Sequence, residues 1–260
     1  MERGITAPVL IHPEWAAPAN VCAAMSTRAG GVSQGRWASL NLGAAVGDDA
    51  AAVRANRQRF AAALGAQPVW LEQVHGVRVV RVGLADLNSM PMQADAAWST
   101  EPGLACAVQV ADCLPVLLAV RDGAAVAAAH AGWRGLAGGV LEATLLALQH
   151  GVGADPGDVV AWLGPCIGPR RFEVGEDVLR AFSTAPGDAA SARFVSRPRP
   201  DGAPRWLADL AGLARQRLER AGVRDIADAR ACTVEEPASF FSFRRDGVTG
   251  RLGAAVWRRA

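Results

Sequence analysis

The sequence predicts a single α/β (α+β) domain spanning residues 1–260 and built around a large mixed β-sheet. Two continuous apolar runs, Leu104–Val110 and Leu114–Val120, are typical of strands that are buried on both faces. Helical segments are mixed with strands without strict alternation and without internal repeats, which favours a mixed sheet. With 260 residues and 51% hydrophobic content, the chain can bury a full core without disulfides or a structural metal.

Four segments have the periodicity or the end signals of helices. Asp48 and Asp49 suit the start of the first helix, and Gly65 follows its last apolar residue. An apolar stripe with helical spacing precedes Gly222 in the same way. The predicted helices are 48–64, 136–149 ended by Gly151, about 176–182, and the segment with the stripe Leu207, Leu210, Leu213, Ala214, Leu218 and Ala221.

Apolar and β-rich runs predict the strands. Two of them flank His75 and Gly76, so we expect a hairpin with His75 at its tip, and another run stops at His130. Residues 5–25 alternate only loosely, and 184–204 is rich in Pro, Gly, Ser and Arg, as expected of an exposed loop. The predicted strands are 69–74, 77–82, 104–110, 114–120, 124–129, 159–163, 226–234 and 252–257.

Charge and cysteine content narrow the classes of function. The formal charge of +2 is too small to indicate nucleic-acid or membrane binding, and all basic residues are Arg. No run reaches the roughly 18–20 apolar residues of a membrane span, and the N-terminal residues lack the apolar stretch of a signal peptide. Five scattered Cys without a Cys-x-x-Cys pair favour a reducing compartment. We therefore expect a cytoplasmic protein.

Three potential metal ligands stand where apolar, strand-like runs stop: His75, Cys113 and His130. Two imidazoles and one thiolate form a zinc set with an open fourth position, where bound water has its pKa lowered towards about 7. The same donors would also take copper where copper is available. Taken singly, His75 is also typical of a solvated turn and Cys113 of an inert buried thiol. His12 and His150 are expected to be structural.

The order of short motifs along the chain is characteristic. They cover residues from about 24 to 257, and this pattern strongly resembles the YfiH-like laccase-domain family, also called the bacterial purine nucleoside phosphorylase or peptidoglycan editing factor family. Met25 and Phe243 stand where the family often has Phe and Tyr. The motifs are 26–33 (Ser-Thr-Arg-Ala-Gly-Gly-Val-Ser), 39–43 (Ser-Leu-Asn-Leu-Gly), 56–57 (Asn-Arg), 73–76 (Gln-Val-His-Gly), 94–96 (Ala-Asp-Ala), 111–115 (Ala-Asp-Cys-Leu-Pro), 130–135 (His-Ala-Gly-Trp-Arg-Gly), 164–169 (Gly-Pro-Cys-Ile-Gly-Pro) and 240–247 (Phe-Phe-Ser-Phe-Arg-Arg-Asp-Gly).

The resemblance implies an α/β/β/α layered sandwich and a catalytic zinc held by the residues matching His75, Cys113 and His130. It also implies phosphorolysis of adenosine, inosine and methylthioadenosine, with adenosine deamination as a further activity. The partners would then be a nucleoside and phosphate, and neither nucleic acid nor a membrane.

Phosphorolysis needs a cation to hold phosphate, and the planar guanidinium of Arg does this with a bidentate fork. Arg28 is the preferred phosphate contact, and Arg134 is a second candidate. For any one of these residues, an ordinary solvated arginine is the commoner outcome. The arginines beside loop motifs are Arg28, Arg57, Arg134, Arg244 and Arg245.

Other polar side chains within the motifs are candidates for substrate contacts. Asn41, Gln73 and Asp95 are suited to hold ribose or base by hydrogen bonds. Glu173 is a candidate for proton transfer near C6 or the leaving base. Asp112, directly before Cys113, is expected either to orient a ligand imidazole or to cap the end of a strand.

Two other classes of function compete with the zinc enzyme. In a cysteine hydrolase, Cys113 would be the nucleophile and His130 its base. The resemblance also implies the editing of muramyl precursors of peptidoglycan, which would fit a hydrolase of either kind. In a non-catalytic module, zinc would only join three loops, with Cys166 or Asp112 as the fourth ligand.

The residue inventory excludes two related chemistries. A multicopper laccase needs paired His-x-His motifs and more imidazoles than the four His of this chain. The cytidine-deaminase zinc signature requires Pro-Cys-x-x-Cys, and the segment that begins at Pro165 lacks the second Cys.

Overall fold

Two β-sheets face each other at the centre of the molecule, and helices cover both outer faces. The computed structural model describes residues 7–182 and 192–260. This arrangement confirms the expected α/β/β/α sandwich with mixed sheets. The strands are β1 (Leu10–Ile11), β2 (Val21–Ser26), β3 (Gln67–Val69), β4 (Val79–Arg81), β5 (Ala96–Ser99), β6 (Leu104–Val110), β7 (Leu114–Val120), β8 (Val126–Ala131), β9 (Val159–Leu163), β10 (Glu173–Val174), β11 (Phe194–Ser196), β12 (Trp206–Ala208), β13 (Asp225–Asp228) and β14 (Leu252–Arg258). The helices are α1 (Ala50–Leu64), α2 (Trp133–Gly138), α3 (Val140–Val152), α4 (Glu176–Ala181), α5 (Leu210–Arg220) and α6 (Phe243–Asp246).

The five-stranded sheet has the order β1-β2-β14-β6-β3. Strand β14 pairs antiparallel with both β2 and β6, and its first residue, Leu252, lies opposite Val110 at the end of β6. Helix α1 covers the outer face, where Phe60 packs in a cluster with Leu42 and Trp257. As predicted, α1 begins after Asp49, whose carboxylate accepts hydrogen bonds from the first turn, and ends at Gly65 with φ of 66°.

The six-stranded sheet has the order β13-β9-β7-β8-β5-β4. Successive residues of its central strand β7 point into different cores. Val116 and Leu118 pack with α3 and α5, whereas Leu117 and Ala119 pack against the five-stranded sheet. Burial on both faces explains why this strand is a continuous apolar run in the sequence.

A small third sheet, β10-β12-β11, is antiparallel throughout and lies near α4. Within residues 7–182 and 192–260, no helix combines the length and the apolar character that crossing a membrane requires.

The predicted hairpin around His75 is wrong. Strand β3 pairs parallel with β6, whereas β4 pairs parallel with β5, so the two β-rich runs belong to different sheets. Residues 70–78 cross between the sheets and carry His75. Strand β3 takes a partner several elements further along the chain, and β4 pairs parallel with the next strand; a local β-rich pattern does not specify either partner.

The helix predicted over 136–149 begins earlier and is divided in two. Helices α2 and α3 meet at Gly139, which has φ of 99°, and α3 ends at Gly153 rather than at Gly151. A left-handed glycine ends α2 and directly precedes α3, so the chain changes direction between them.

The C-terminal boundaries also differ in places. Leu207 belongs to β12 rather than to the helical stripe of α5, and the run 226–234 contains only the short β13. The loop predicted over 184–204 contains β11 in its described part, while residues 183–191 lie outside the described residues. Residues 5–25 contain β1 and β2, and positions 5 and 6 likewise lie outside the described residues.

Candidate metal centre

His75, Cys113 and His130 converge at one end of the two facing sheets. His75 lies in the connection between β3 and β4, Cys113 in the connection between β6 and β7, and His130 within β8. One ligand atom from each residue lies within 4.8 Å of the other two, and Cys113 Sγ is 3.8 Å from His75 Nε2. The two imidazole rings meet edge to face, with centroids 4.8 Å apart. His130 was expected just after its strand and is instead its penultimate residue.

Two of these connections have an unusual backbone conformation. His75 has φ of 60° and Asp112, next to Cys113, has φ of 93°. Such values are uncommon for residues with a side chain, and they persist only where surrounding contacts hold them. The conformation therefore implies that both loops are fixed by specific hydrogen bonds.

Asp95 supplies those bonds for the His75 loop. Its fully buried carboxylate accepts hydrogen bonds from the backbone N–H groups of Val74 (3.2 Å), His75 (2.9 Å) and Gly76 (2.7 Å). His130 Nδ1 lies 2.8 Å from Asp95 Oδ1. With Nδ1 engaged in this way, Nε2 is the nitrogen of His130 that is left for a ligand.

Asp112 makes the hydrogen bonds that fix the Cys113 loop. Its carboxylate accepts hydrogen bonds from the Thr233 hydroxyl and from the backbone N–H of Arg244, both at 2.6 Å. Its carbonyl accepts a bond from the N–H of Ile167. The expectation that Asp112 orients an imidazole is not met, because Asp95 does so instead.

The charges of Cys113 and His130 are coupled. Burial raises the pKa of Cys113, but the charge of His130 and hydrogen bonds from both imidazoles outweigh this effect and lower the pKa to about 6. Burial lowers the pKa of His130, but the Cys113 thiolate and Asp95 outweigh it and raise the pKa to about 9. The thiol of Cys113 is thus predisposed to be the anion that metals and electrophiles both require.

Gly132 leaves the space in which the three ligands meet. A Cβ atom at this position would lie 2.9 Å from His75 Cδ2 and 3.1 Å from Cys113 Sγ. Its distance to His130 Cε1 would be 3.5 Å. The residue after β8 must therefore lack a side chain for the cluster to form.

The donor set fits a divalent transition-metal ion. Tetrahedral coordination with metal–sulfur and metal–nitrogen bonds of about 2.3 and 2.0–2.1 Å places the two atoms about 3.6 Å apart. The observed 3.8 Å between Cys113 Sγ and His75 Nε2 is close to that value. Among the described residues, neither Cys166 nor Asp112 belongs to this group of donors. The fourth ligand that a closed structural site requires is therefore not supplied by either of them.

Glu173, the predicted proton-transfer group, lies in β10 outside the donor cluster. Its half-exposed carboxylate forms an ion pair with Arg199 at 3.2 Å. Its carbonyl accepts a hydrogen bond from the Arg244 side chain, whose backbone N–H binds Asp112. This chain of contacts links Glu173 to the neighbourhood of Cys113, and its part in proton transfer stays a prediction.

Asn41 and Gln73, predicted to contact substrate, are engaged with the protein backbone. Asn41 is fully buried, and its Oδ1 accepts hydrogen bonds from the N–H groups of Gly43 and Arg251. Gln73 makes two hydrogen bonds to the backbone of Gln109 in β6, which extends the pairing of β3 beyond its last residue. Both side chains therefore position loops around the cluster.

Arg28 and Arg134, the predicted phosphate contacts, have different surroundings. Arg28 donates to the carbonyls of Ala38 and Pro237 and stacks over the Phe241 ring at 4.7 Å. Arg134 is exposed and stacks over Trp133 at 4.4 Å. Arg28 already donates its hydrogen bonds to protein carbonyls. Arg134 lies two residues after Gly132 in the chain.

A cavity of about 360 Å³ is lined by Ile167, Cys166 and Cys232 among other residues. Burial and neighbouring negative charges raise the pKa of the Cys166 thiol well above its ordinary value. This cavity does not include the three metal-ligand candidates, and the pKa of its Cys166 is shifted in the opposite direction to that of Cys113.

Sequence reasoning missed two residues of the site. Gly132 was noted only as part of a motif, and Arg251 in the Thr-Gly-Arg segment before β14 was not singled out. Asp95 was identified, but in another role. A glycine directly after a strand that carries His130 near its end is the signal that could have identified Gly132.

Known proteins resemble the whole chain. A family model described as multi-copper polyphenol oxidoreductase laccase matches residues 22–259. A Pseudomonas aeruginosa protein named purine nucleoside phosphorylase is 52% identical over 95% of this chain and 97% of its own. Purine nucleoside phosphorylase YfiH of Escherichia coli is 48% identical over 95% of this chain and 98% of its own.

Solved structures agree with the fold. A crystal structure of a Neisseria meningitidis protein superimposes with a TM-score of 0.88 at 45% identity, covering 96% of this chain and 99% of its own. YlmD from Geobacillus stearothermophilus superimposes with a TM-score of 0.85 at 34% identity, covering 93% of each chain. With the family model matching nearly every described residue, this chain belongs to the YfiH-like laccase-domain family.

Proposed function

We propose that this protein is a zinc-dependent purine nucleoside phosphorylase. The observation that carries the proposal is the convergence of His75, Cys113 and His130 in a chain 52% and 48% identical to two proteins named purine nucleoside phosphorylase. Three protein ligands with an open fourth position are typical of catalytic zinc. Nucleoside and inorganic phosphate are then the partners, and the family resemblance implies adenosine, inosine and methylthioadenosine as substrates.

When bound, zinc supplies a Lewis acid that polarises an oxygen at its open position. The protein prepares this position through Asp95, which holds the N–H of His75 and the Nδ1 of His130 at once. One buried carboxylate thereby holds the backbone of His75 and the imidazole of His130 in place. The thiolate of Cys113 adds the negative charge of the ligand set.

In phosphorolysis, a phosphate oxygen forms a bond to the anomeric carbon of ribose while the bond from that carbon to the purine nitrogen breaks. The bonding electron pair leaves with the purine, which takes up a proton. The chain must therefore hold phosphate with a cation and place a proton donor near the base. Glu173 is the proposed donor from the sequence.

Adenosine deamination is proposed as a second activity of the same site. Water would add to C6 of the purine, and ammonia would leave to give inosine. The proposal rests on the family resemblance and on the open ligand position beside the cluster. Inosine formation that does not depend on phosphate would distinguish this activity from phosphorolysis.

The direct test is product analysis of adenosine incubated with protein of measured zinc content, with and without phosphate. Adenine and ribose 1-phosphate formed only in the presence of phosphate would support phosphorolysis, and inosine in both incubations would support deamination. If protein with one zinc per chain forms neither product, the nucleoside assignment fails.

A second candidate function is a cysteine hydrolase that acts on muramyl precursors, with Cys113 as nucleophile and His130 as base. The lowered pKa of Cys113 favours this candidate, because the charge of His130 is the largest of the effects that lower it. A nucleophilic cysteine would keep its activity after metal removal and lose it to a thiol alkylator. A zinc enzyme would lose activity on chelation and recover it with zinc.

A cytoplasmic location is also proposed. Cys22, Cys106, Cys113, Cys166 and Cys232 are all free thiols, which supports a reducing compartment.

A further inference from the structure

Arg251 lies beside the metal-ligand cluster. The residue after it, Leu252, pairs with Val110 at the end of β6, so the antiparallel register places Arg251 opposite position 111, two residues before Cys113. Burial lowers the pKa of Arg251, while the charges of Cys113 and Asp112 act in the opposite direction. The guanidinium is thus both half-buried and within electrostatic reach of the cluster.

Three contacts fix the position of Arg251. Its backbone N–H donates to Asn41 Oδ1 at 2.8 Å, and its carbonyl accepts from the N–H of Leu42 at 3.0 Å. The aliphatic stem passes over Gly43, where a Cβ atom would lie 2.6 Å from Arg251 Cγ. The stem is held at the backbone and packed on glycine, so the guanidinium position is well defined.

Arg57 approaches the same segment from helix α1. Its Nε donates to the carbonyl of Leu42 at 3.0 Å, and its guanidinium stacks over the Trp70 ring at 4.6 Å. Burial lowers its pKa to about 10, so the side chain is still cationic near neutral pH. Arg57 and Arg251 therefore flank the segment that contains Leu42 and Gly43.

Neither guanidinium has a carboxylate partner among the described residues, although buried cations are normally paired. Arg251 donates through Nη1 to the carbonyls of Thr249 and Gly250, which are neutral acceptors. The nearby carboxylate of Asp112 already accepts two hydrogen bonds of 2.6 Å from other groups. Neither positive charge is thus in a direct ion pair with a carboxylate within the described protein.

The hydroxyl of Thr249 is a second, independent sign of a missing ligand. Thr249 is 1% exposed, and its Oγ1 has no hydrogen-bond partner in the part of the chain that the structure describes. The Thr249 carbonyl lies 3.1 Å from Arg251 Nη1, so the orphan hydroxyl belongs to the same small region. Buried hydroxyls without a partner are rare and costly, and an anionic oxygen would satisfy this one.

We propose that Arg251, Thr249 and Arg57 form the binding site for inorganic phosphate beside the metal-ligand cluster. Two guanidiniums match the charge of a phosphate dianion, and each presents N–H groups for which the described residues supply no hydrogen-bond acceptor. This inference rests on the proposed phosphorolysis, for which phosphate is the attacking reactant. It replaces Arg28, whose Nε and Nη1 already donate to backbone carbonyls.

The test measures phosphate in two ways on the full-length protein: direct binding by phosphorus-31 NMR or calorimetry, and the KM for phosphate in adenosine cleavage. The variants are Arg251→Gln, Arg251→Lys, Thr249→Val and Arg57→Gln, each checked for cooperative thermal unfolding. Arg54→Gln is the matched control, because Arg54 lies one turn earlier on α1 and is exposed. Arg28→Gln tests the replaced candidate.

Arg251→Gln should weaken phosphate binding and raise the phosphate KM by about tenfold or more, since charge-assisted hydrogen bonds are lost. The KM for adenosine should stay within about twofold of wild type, because the substitution removes contacts with phosphate and not with the nucleoside. Thr249→Val should give a smaller effect in the same direction, Arg251→Lys a partial recovery, and Arg54→Gln and Arg28→Gln little change.

The proposal is overturned if cleavage depends on phosphate in the wild type while Arg251→Gln and Thr249→Val, both folded, keep the wild-type phosphate KM. If the wild type binds phosphate and Arg251→Gln does not, yet neither protein releases purine in a phosphate-dependent reaction, the phosphate site stands and only the proposed phosphorolysis is contradicted.

Discussion

At the scale of single residues, Asp95 is the group on which the candidate metal centre depends most. One buried carboxylate accepts bonds from three consecutive N–H groups of the His75 loop and from Nδ1 of His130. These bonds hold the pKa of Asp95 below its ordinary value, although burial acts to raise it. The carboxylate therefore stays charged, and it keeps the strained His75 backbone and the His130 ring in one arrangement.

Asp95→Asn should lower metal affinity by about 10- to 100-fold, the range found for groups that orient metal ligands. An asparagine amide group cannot accept the hydrogen bonds that both carboxylate oxygens accept now, so the loop or the ring must shift. Chelator competition measures the affinity, and Asp122→Asn, at an exposed turn, is the control. Unchanged zinc affinity in a folded Asp95→Asn protein would contradict the role given to Asp95.

The coupled pair of Cys113 and His130 predicts how metal binding depends on pH. In the metal-free protein at pH 7.5, Cys113 with a pKa of about 6 is a thiolate, and His130 with a pKa of about 9 carries a proton. A metal binds neutral imidazole, so binding should release about one proton from this pair near pH 7.5 and about two near pH 5. Apparent affinity should rise with pH until about 9, where His130 loses its proton without the metal.

Calorimetry in buffers of different ionisation enthalpy measures the number of released protons. Zinc affinity that is constant between pH 6 and 9 would contradict the imidazolium–thiolate state of the metal-free pair.

At the scale of elements, the connections between strands decide whether the ligands meet. Gly132 stands between β8 and α2, and a side chain there would collide with His75 and Cys113. The metal-ligand residues lie in or after strands, and the loops determine the space between the ligands.

Gly132→Ala should therefore abolish or strongly weaken metal binding while the sheets stay intact. The Cβ atom would lie 2.9 Å from His75 Cδ2, a distance that requires the ring or the loop to move. Gly157→Ala is the matched control, because nothing lies within 4 Å of a Cβ atom at that position. Metal content and circular dichroism of both variants are the measurements, and full zinc occupancy in Gly132→Ala would contradict the geometry.

Elements with a complete local signal were predictable from the sequence. Strand β7 is apolar throughout because both its faces are buried, and α1 carries its start and end signals at Asp49 and Gly65. The hairpin at His75 failed because β3 and β4 pair with β6 and β5, in two different sheets, rather than with each other. The long-range partners of a strand depend on the whole core and not on its own residues.

The candidate site, like the fold, could be predicted only in part from the sequence. His75, Cys113 and His130 were identifiable by residue type, and the structure brings them within 4.8 Å of one another. The role of Asp95 was not predictable, because it depends on a contact between the residue before β5 and the penultimate residue of β8 that only the sheet register creates. For the same reason Arg251, opposite the end of β6, gave no local signal.

At the scale of the whole molecule, the cores do not need the metal. Three apolar clusters fill the space between the sheets and beneath the helices on both sides, and the cluster of metal ligands lies at one end of the sheets. A chain of this size buries enough apolar surface to fold without a metal, unlike small zinc-dependent domains.

Metal-free protein, prepared by chelation, should therefore unfold cooperatively on heating and keep its far-ultraviolet circular dichroism. Zinc should raise the midpoint of thermal unfolding by mass action, because it binds only the folded cluster. A metal-free protein without a cooperative transition would instead indicate a structural zinc.

The central claim is that Cys113, together with two imidazoles, holds the metal on which phosphorolysis depends. The most direct test compares zinc content and phosphate-dependent formation of ribose 1-phosphate from adenosine in wild type, Cys113→Ala and the control Cys22→Ala, a half-buried thiol outside the cluster. We predict that wild type and Cys22→Ala bind one zinc and form the product, and that Cys113→Ala loses both. Full turnover by a folded Cys113→Ala protein would show that phosphorolysis does not depend on a metal held by Cys113.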